Sequence, residues 1–129
     1  MVIGFVNADP RQAVILGALY GSQNAPPNGV KVSEANTDKA IVTKSGAMIR
    51  FVDDEKVKIF IETPGANKIT LDDEAQQIVL ADGHGNKVTL NKEGIQIKSA
   101  KDLKIEASGN ITLKASKNVE IQGQKVDVK

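Results

Sequence analysis

The chain has 129 residues, which is the length of one ordinary domain, and 40% of them are apolar. Its 17 basic and 16 acidic residues are interspersed and leave a net charge of +1, which excludes the basic footprint of a nucleic-acid-binding protein. Cysteine is absent, so disulfides and thiolate metal sites are excluded, and the longest apolar run, AVILGALYG, is too short to span a bilayer.

Residues 1–20 predict two buried strands joined by a turn. Asn7 and Asp9 are turn formers, and Pro10 fixes the backbone angle φ between the apolar runs VIGFV and AVILGALY. Because two strands alone bury too little surface to be stable, we expect this segment to be the end of a domain that begins before it.

Residues 21–45 predict a polar connection. This segment starts with Gly and Ser, and Pro26-Pro27 stiffens it. The run AIVTK at 40–44 is a candidate short strand inside it.

From Gly46 onward the pattern predicts only strands, because apolar residues recur in pairs at positions i and i+2. Such pairs lie on different sides of a helix but on one face of a strand. No Phe, Tyr or Trp follows Phe60, so we expect a thin structure. The ten pairs are Ile49/Phe51, Ile59/Ile61, Ile69/Leu71, Ile78/Leu80, Val88/Leu90, Ile95/Ile97, Leu103/Ile105, Ile111/Leu113, Val119/Ile121 and Val126/Val128.

The spacing of the pairs settles to eight residues from Ile95. Each octad has two apolar side chains, a small residue and then a polar turn dipeptide at 101–102, 109–110 or 117–118. The small residues are predicted corners, and they are Ser99, Ala107, Ala115 and Gly123.

Two architectures satisfy this repeat. A single chain can coil into a parallel β-helix, but ten strands give little more than three rungs and no capping element is visible. Three identical chains can instead wind round one axis as a rod of about 50 Å, which the pattern favours. The predicted trimer core comprises Ile69, Leu71, Ile78, Leu80, Val88, Leu90, Ile95, Ile97, Leu103, Ile105, Ile111, Leu113, Val119, Ile121, Val126 and Val128.

A trimer of this kind makes residues eight apart into neighbours on different chains. Lys98, Glu106 and Lys114 occupy equivalent outward positions with alternating charge. We therefore predict ion pairs between chains from Lys98 to Glu106 and from Glu106 to Lys114.

The order of the segments also resembles a known family. The stretch GFVNADPRQAVILGALYGSQNAPP, followed by IVTKSGAMIRFVDDEKVKIFIETPGANKITLDD, is similar to VgrG spike proteins of type VI secretion systems and to central spikes of contractile phage tails and related injection particles. The residues that fit the family pattern are Asp9, Pro10, Val14, Leu16, Gly17 and Tyr20, then Asn24, Pro26 and Pro27, then Ser45, Gly46, Ile49, Phe51 and Asp53.

The resemblance implies an all-β fold in three parts. Residues 1–20 would end an OB-fold, 21–45 would be the connection, and 46–129 would form an intertwined, homotrimeric, triple-stranded parallel β-helix. The larger N-terminal hub of the family is absent from this sequence, and so is the His-x-His metal motif found at the tip of many phage spikes.

The function that the resemblance implies is structural. The protein would be a cell-puncturing spike that pierces the target envelope and carries a tip protein or effectors. It would be assembled in the bacterial cytoplasm and delivered outside, or would belong to a virion or a phage-tail-like particle. Its implied partners are a PAAR-repeat tip protein at the C-terminal end and tube or baseplate components at the other.

No residue pattern predicts an enzyme, a cofactor or a metal site. His84 lies between two glycines and is expected in an outward turn, although three copies facing one axis would make a metal site. The acidic runs at 53–55 and 72–74 are expected in exposed turns. A single-chain β-solenoid enzyme or sugar-binding domain, and a trimeric fibre or adhesin stalk, remain as alternatives.

Overall fold

The computed structural model describes residues 2–17, 25–26 and 29–129, and its regular structure in these ranges is almost entirely strand. One turn of 3-10 helix, at Val6–Ala8, accompanies the strands. The described residues contain no helix long and apolar enough to cross a membrane. The strands are β1 Val2–Phe5, β2 Ala13–Gly17, β3 Asp38–Val42, β4 Met48–Val52, β5 Lys58–Glu62, β6 Lys68–Asp72, β7 Gln77–Ala81, β8 Lys87–Asn91 and β9 Gly94–Lys98. The predicted all-β class is confirmed.

Strands β1 and β2 form an antiparallel hairpin, with Ile3 directly opposite Ile15. A bidentate contact from the Arg11 guanidinium to the Asp9 carboxylate, at 3.0–3.1 Å, stabilises the turn between them. The two strands and their turn were predicted; in the single chain Ile15 is 67% exposed and Leu16 is 69% exposed, so their burial in a larger domain stays a prediction. A two-stranded ribbon has no second layer within the chain to cover its apolar side chains. Tyr20, Asn24 and Pro27, which carried part of the family resemblance, lie outside the described residues.

Strands β3 to β9 form one sheet in sequence order, and every neighbouring pair is antiparallel. The candidate strand in AIVTK corresponds to β3, which pairs with β4 and so belongs to this sheet. The expectation of parallel strands paired between chains is therefore wrong for β4–β8, because both neighbours of each of these strands are antiparallel strands of the same chain. Each of these inner strands pairs with the strands that precede and follow it in the same chain, and the loops between them make the pairing antiparallel.

Hairpin loops between successive strands produce the antiparallel arrangement. Three loops at one end of the strands, 43–47, 63–67 and 82–86, each contain five residues, and the loop at 92–93 between β8 and β9 contains two. In each of the three five-residue loops the first residue's N–H donates to the carbonyl of the last, at 2.9, 3.0 and 3.2 Å respectively. The fourth residue of each loop adopts a left-handed backbone, with φ of 91° at Gly46, 63° at Ala66 and 93° at Gly85.

Residues 99–129 contain no strand in the single chain. Bends occur at 100–101, 108–109, 116–117 and 124, so the predicted period of eight residues is confirmed. The strands predicted in this segment are not formed within one chain, because a short bend does not bring successive octads side by side as a hairpin loop does. These unformed strands are the ones predicted at Leu103/Ile105, Ile111/Leu113, Val119/Ile121 and Val126/Val128.

No hydrophobic residue is buried in the described part of the chain. The accessible surface is 11511 Å². A compact monomer of this mass has roughly 6,600 Å² by the usual scaling with molecular mass. The single chain is therefore an open layer without an interior, and its core must come from contacts outside the chain.

One strong ion pair fixes the start of the sheet. The Arg50 Nε and Nη2 atoms donate to the two carboxylate oxygens of Asp38 at 2.8 and 2.6 Å, and the backbone N–H of Lys31 also donates to this carboxylate at 2.9 Å. The Asp38 side chain is only 5% exposed. The Arg50 hydrogen bonds lower the pKa of Asp38 because they stabilise its charged form.

We predict that Asp38→Asn lowers the free energy of unfolding by about 1–3 kcal/mol at pH 7, the usual cost of losing a hydrogen bond to a charged group. Since the folded pKa of Asp38 is depressed, its stabilisation is present above the unfolded value of about 3.9 and is lost as the pH falls through the folded value. Thermal unfolding followed by circular dichroism from pH 7 to pH 2 should show a weaker acid dependence in the variant.

Asp53→Asn is the matched control for this prediction. Asp53 lies 3.6 Å from Lys39, and the two side chains are 70% and 47% exposed, so its loss should cost less than about 1 kcal/mol. Equal effects of the two substitutions would contradict the role assigned to Asp38.

Candidate assembly interface

One face of the seven-stranded sheet consists almost entirely of aliphatic side chains. Side chains alternate between the faces of a strand, and the register places the apolar pairs of neighbouring strands directly opposite one another, for example Ile61 opposite Ile69. We call this set the apolar ladder, and it comprises Ile41, Ile49, Phe51, Ile59, Ile61, Ile69, Leu71, Ile78, Leu80, Val88, Leu90, Ile95 and Ile97.

The apolar ladder is partly exposed from one edge of the sheet to the other. Exposure is 38% at Ile49 and Leu71 and rises to 72% at Ile95 on the edge strand β9. The half-buried members are Ile59, Ile69, Val88 and Leu90. Grooves of ≈ 530 and ≈ 330 Å³ on this face are shallow gaps between ladder side chains and not enclosed pockets. An apolar surface of this size and continuity indicates a contact surface for another protein layer.

The apolar ladder ends at β3. Lys39 occupies the ladder position opposite Phe51, where the other strands carry an aliphatic residue. Its Nζ atom lies 3.6 Å from the Asp53 carboxylate. The apolar face thus has a charged residue at the β3 edge, whereas at the β9 edge it extends to two isoleucines, Ile95 and Ile97.

The predicted trimer-core residues fall into two groups. Those from Ile69 to Ile97 lie on the apolar ladder. Those from Leu103 to Val128 lie in the segment without strands, where they are 50–90% exposed. Their burial in a trimer stays a prediction.

The sequence reasoning left five ladder residues out of the predicted core. Four of them had been recognised as strand pairs, at Ile49/Phe51 and Ile59/Ile61, but had not been included in the predicted core. Ile41 belonged to no predicted pair. The alternation in DKAIV, which places Ile41 two residues after Lys39, was the signal that could have identified it.

The other face, which we call the mixed face, carries the alternate residues of the same strands. Its ion pairs are Arg50–Asp38, Lys58–Asp72 and Lys68–Glu62, at 2.6–2.7 Å. Phe60 lies between two of these cations, with its ring centre 5.9 Å from the Arg50 guanidinium carbon and 5.1 Å from the Lys68 ammonium. Apolar residues such as Met48, Val52 and Val79 also lie on this face, but its ion pairs make it the more polar face and the better suited to solvent.

His84 and the acidic runs have no arrangement suited to chemistry. Within the described ranges no three His, Asp or Glu residues are grouped closely enough to hold a metal ion. His84 is exposed, and its backbone N–H donates to Asp82 Oδ1 at 2.9 Å. Residues 53–55 and 73–74 lie in the loops between strands, where Glu74 pairs with Lys56. The expectation of an exposed turn is wrong for Asp72, because it ends β6, pairs with Lys58 and has a side chain that is only 11% exposed.

A hydrogen-bonded junction joins the sheet to the octad segment. The Asn86 side chain accepts a hydrogen bond from the backbone N–H of Ala100 at 2.9 Å and donates one to Asp82 at 2.7 Å. The Ser99 hydroxyl donates to the carbonyl of Asp102 at 3.0 Å. The loop at 82–86 thus holds the first predicted corner, Ser99, in its bend and directs the chain away from β9.

Comparison with known proteins gives one finding for this interface. Residues 58–129, more than half of the chain, match the family described as phage baseplate V C-terminal trimerisation domain. The match starts at the first residue of β5 and includes most of the apolar ladder and the whole octad segment. A search of the curated proteins gave no significant match.

We predict that Ile97→Asp prevents assembly and that Gln96→Asp does not. Both residues are exposed in the single chain, Ile97 by 59%, so neither substitution buries a charge before assembly. Only Ile97 lies on the apolar ladder, where covering it would bury a carboxylate at a cost of several kcal/mol. Size-exclusion chromatography with light scattering measures the outcome, and an assembled Ile97→Asp variant would exclude the ladder as the interface.

We also predict that Asn86→Ala loosens the junction. The Ala100 amide loses its acceptor, so its hydrogen exchange should accelerate while amides of the central strands β5 and β6 keep their protection. Mass spectrometry of exchange measures this, and Asn91→Ala, which removes only the acceptor for the Glu93 N–H, is the control. Unchanged protection at Ala100 would exclude the junction as described.

Proposed function

This chain belongs to the phage baseplate V C-terminal trimerisation domain family, and from that premise we propose that three copies form the shaft of a spike in a phage-tail-like injection particle. The role in a baseplate or spike is structural. The observation that carries the proposal is the apolar ladder, which is uncovered in one chain and has the continuity of a protein core.

Three copies can bury the ladder efficiently. Each sheet is narrow, since its strands contain five residues and present two ladder side chains each. Three such sheets facing one axis would form a slender prism in which the apolar ladders meet and the mixed faces point outward. Full burial of an aliphatic side chain contributes about 1.5–3 kcal/mol, so three ladders supply a substantial driving force for association.

The octad segment supports the same assembly. Its backbone lacks strand partners in the single chain, and its side chains are exposed at every position from 100 to 129. Winding three copies round one axis would place an octad of another chain beside each octad and would bury the residues from Leu103 to Val128. We infer that this segment forms the triple-stranded β-helix of the shaft.

The mechanical role follows from this geometry. A rod in which every strand pairs and every apolar side chain is covered has few points for local opening, which suits a part that transmits force along its axis. We propose that the shaft pierces a target envelope, as the similarity to VgrG and phage-tail spikes implies. On the same ground we propose a PAAR-repeat protein at the C-terminal end and tube or baseplate components at the N-terminal end. Assembly in the bacterial cytoplasm followed by delivery outside completes this proposal.

Neither enzyme activity nor a cofactor is part of the proposal. The single-chain β-solenoid that the sequence left open requires parallel rungs, whereas β3–β9 pair antiparallel in one open layer. A trimeric fibre or adhesin stalk would share the shaft. The family match to a phage baseplate domain supports the spike over the stalk.

We predict that the protein runs in light scattering at close to three times its chain mass of 13.7 kDa. Ile105→Asp should abolish the trimer, because it would bring three carboxylates close to one axis. Lys104→Asp, a neighbouring change at another exposed position, should leave the trimer intact. A monomeric or dimeric wild-type protein would overturn the proposed function.

Assembly should also change the backbone. Circular dichroism of the wild-type protein should show more strand than the Ile105→Asp variant, because the octads gain hydrogen-bonded neighbours only in the trimer. Equal strand content in the two proteins would contradict the pairing of the octads between chains.

A further inference from the structure

We propose that Lys98, on the free edge of β9, forms an ion pair with Glu106 of a second copy, and that this contact sets the register in which the octads of one chain join the sheet of another. The inference rests on the proposed trimer and deepens it. The partner is a parallel strand of the same sequence that carries a carboxylate at one defined position.

The charges of the mixed face point to a missing carboxylate. Its charged side chains are Asp38, Arg50, Lys58, Glu62, Lys68, Asp72, Lys87 and Lys98. The first six form the three ion pairs described above. Lys87 and Lys98 remain, and no carboxylate of the described residues lies within ion-pair distance of either.

These two lysines are neighbours on the sheet. The register places Lys87 of β8 directly opposite Lys98 of β9, and two like charges in that position destabilise the pair of strands. Every other lysine or arginine on this face has a carboxylate beside it. The exception lies at the edge of the sheet, where the next strand would have to supply the acid.

The sequence offers two candidate acids, one for each direction of an added strand. A strand containing Leu103 and Ile105 must keep both residues on the ladder side. If it runs parallel to β9, with Leu103 beside Ile95, then Glu106 lies beside Lys98. If it folds back antiparallel as a hairpin of the same chain, then Asp102 lies beside Lys98.

The structure favours the parallel strand. The chain's own residues 99–102 are held in a bend by Asn86 and Asp102, and residues 103–106 do not pair with β9. A second copy is therefore needed to fill the edge. Glu106 is available for it, because its contact with Lys104 at 2.8 Å joins side chains that are 71% and 78% exposed and is a weak surface pair.

The absence of cysteine permits a direct test of this register. In Lys98→Cys/Glu106→Cys the two thiols would face each other across parallel strands about 4.8 Å apart, a spacing that suits a disulfide. Mild oxidation of the trimer should give covalently joined chains on a non-reducing gel. Crosslinks only within one chain, or none, would overturn the proposal.

Lys98→Cys/Asp102→Cys is the matched control, because it reports the antiparallel hairpin. It should oxidise slowly and give little crosslinked product. More crosslinking in this control than in the Glu106 variant would assign Asp102 as the partner of Lys98 and would also overturn the proposal.

A charge exchange tests the ion pair itself. Glu106→Lys should lower the thermal midpoint of the trimer, and Lys98→Glu should raise the midpoint more in the Glu106→Lys background than in the wild type, where it also gains a pair with Lys87. Equal effects of Lys98→Glu in the two backgrounds would contradict the pair. The mass of the wild-type protein distinguishes the proposed function from this contact. A protein that is not trimeric overturns both proposals. A trimer that forms no crosslink overturns the Lys98–Glu106 contact alone.

Discussion

A single-layer sheet cannot cover its own apolar face, and this constraint governs the whole molecule. The inner strands β4–β8 satisfy their backbone hydrogen bonds within the chain, but no second layer covers the aliphatic side chains of the apolar ladder. A second layer from the same chain would require helices or further strands that return over the ladder, and the described residues contain none. Folding of the single chain therefore forms hydrogen bonds between strands but does not bury the apolar side chains. Association with other chains must supply that burial.

The conformation of the connections divides the chain into two parts. Up to β9 each connection is a hairpin loop that places a strand beside the preceding one, so pairing is local and antiparallel. Beyond Ser99 the connections are bends, which change the direction of the chain without reversing it. The same two-residue apolar pattern then has no neighbour in its own chain. One chemical pattern thus yields a sheet in one half and an unpaired segment in the other.

Much of this fold was predictable from the sequence. Period-two pairs such as Ile59/Ile61 identified the strands correctly, because alternation depends only on local geometry. Strand direction was not predictable in the same way, since the parallel expectation extended the octad rule back into a region where the loops are longer. The carboxylate of Asp38, far from Arg50 in sequence, also left no local signal of its strong ion pair.

The candidate interface was predictable in composition and less so in extent. Leu71 and Leu80 were expected to face inward because they repeat with their neighbours, and the structure places them on the apolar ladder. Ile41 was not predicted to belong to the interface because it lies inside a predicted polar connection, where one aliphatic residue is weak evidence for a buried face. The unmatched Lys87–Lys98 pair could not be seen at all without the register, because eleven residues separate them along the chain.

Lys39 makes the two edges of the sheet unequal. Beyond β3, a further strand would have to place its apolar side chain against an ammonium group, which is a recognised way of blocking the extension of an edge strand. The β9 edge carries only Ile95 and Ile97 on that side, so no charge there opposes an added strand. The proposed assembly would therefore extend the sheet in one direction, toward the octads, while Lys39 opposes the addition of stray chains at the other edge.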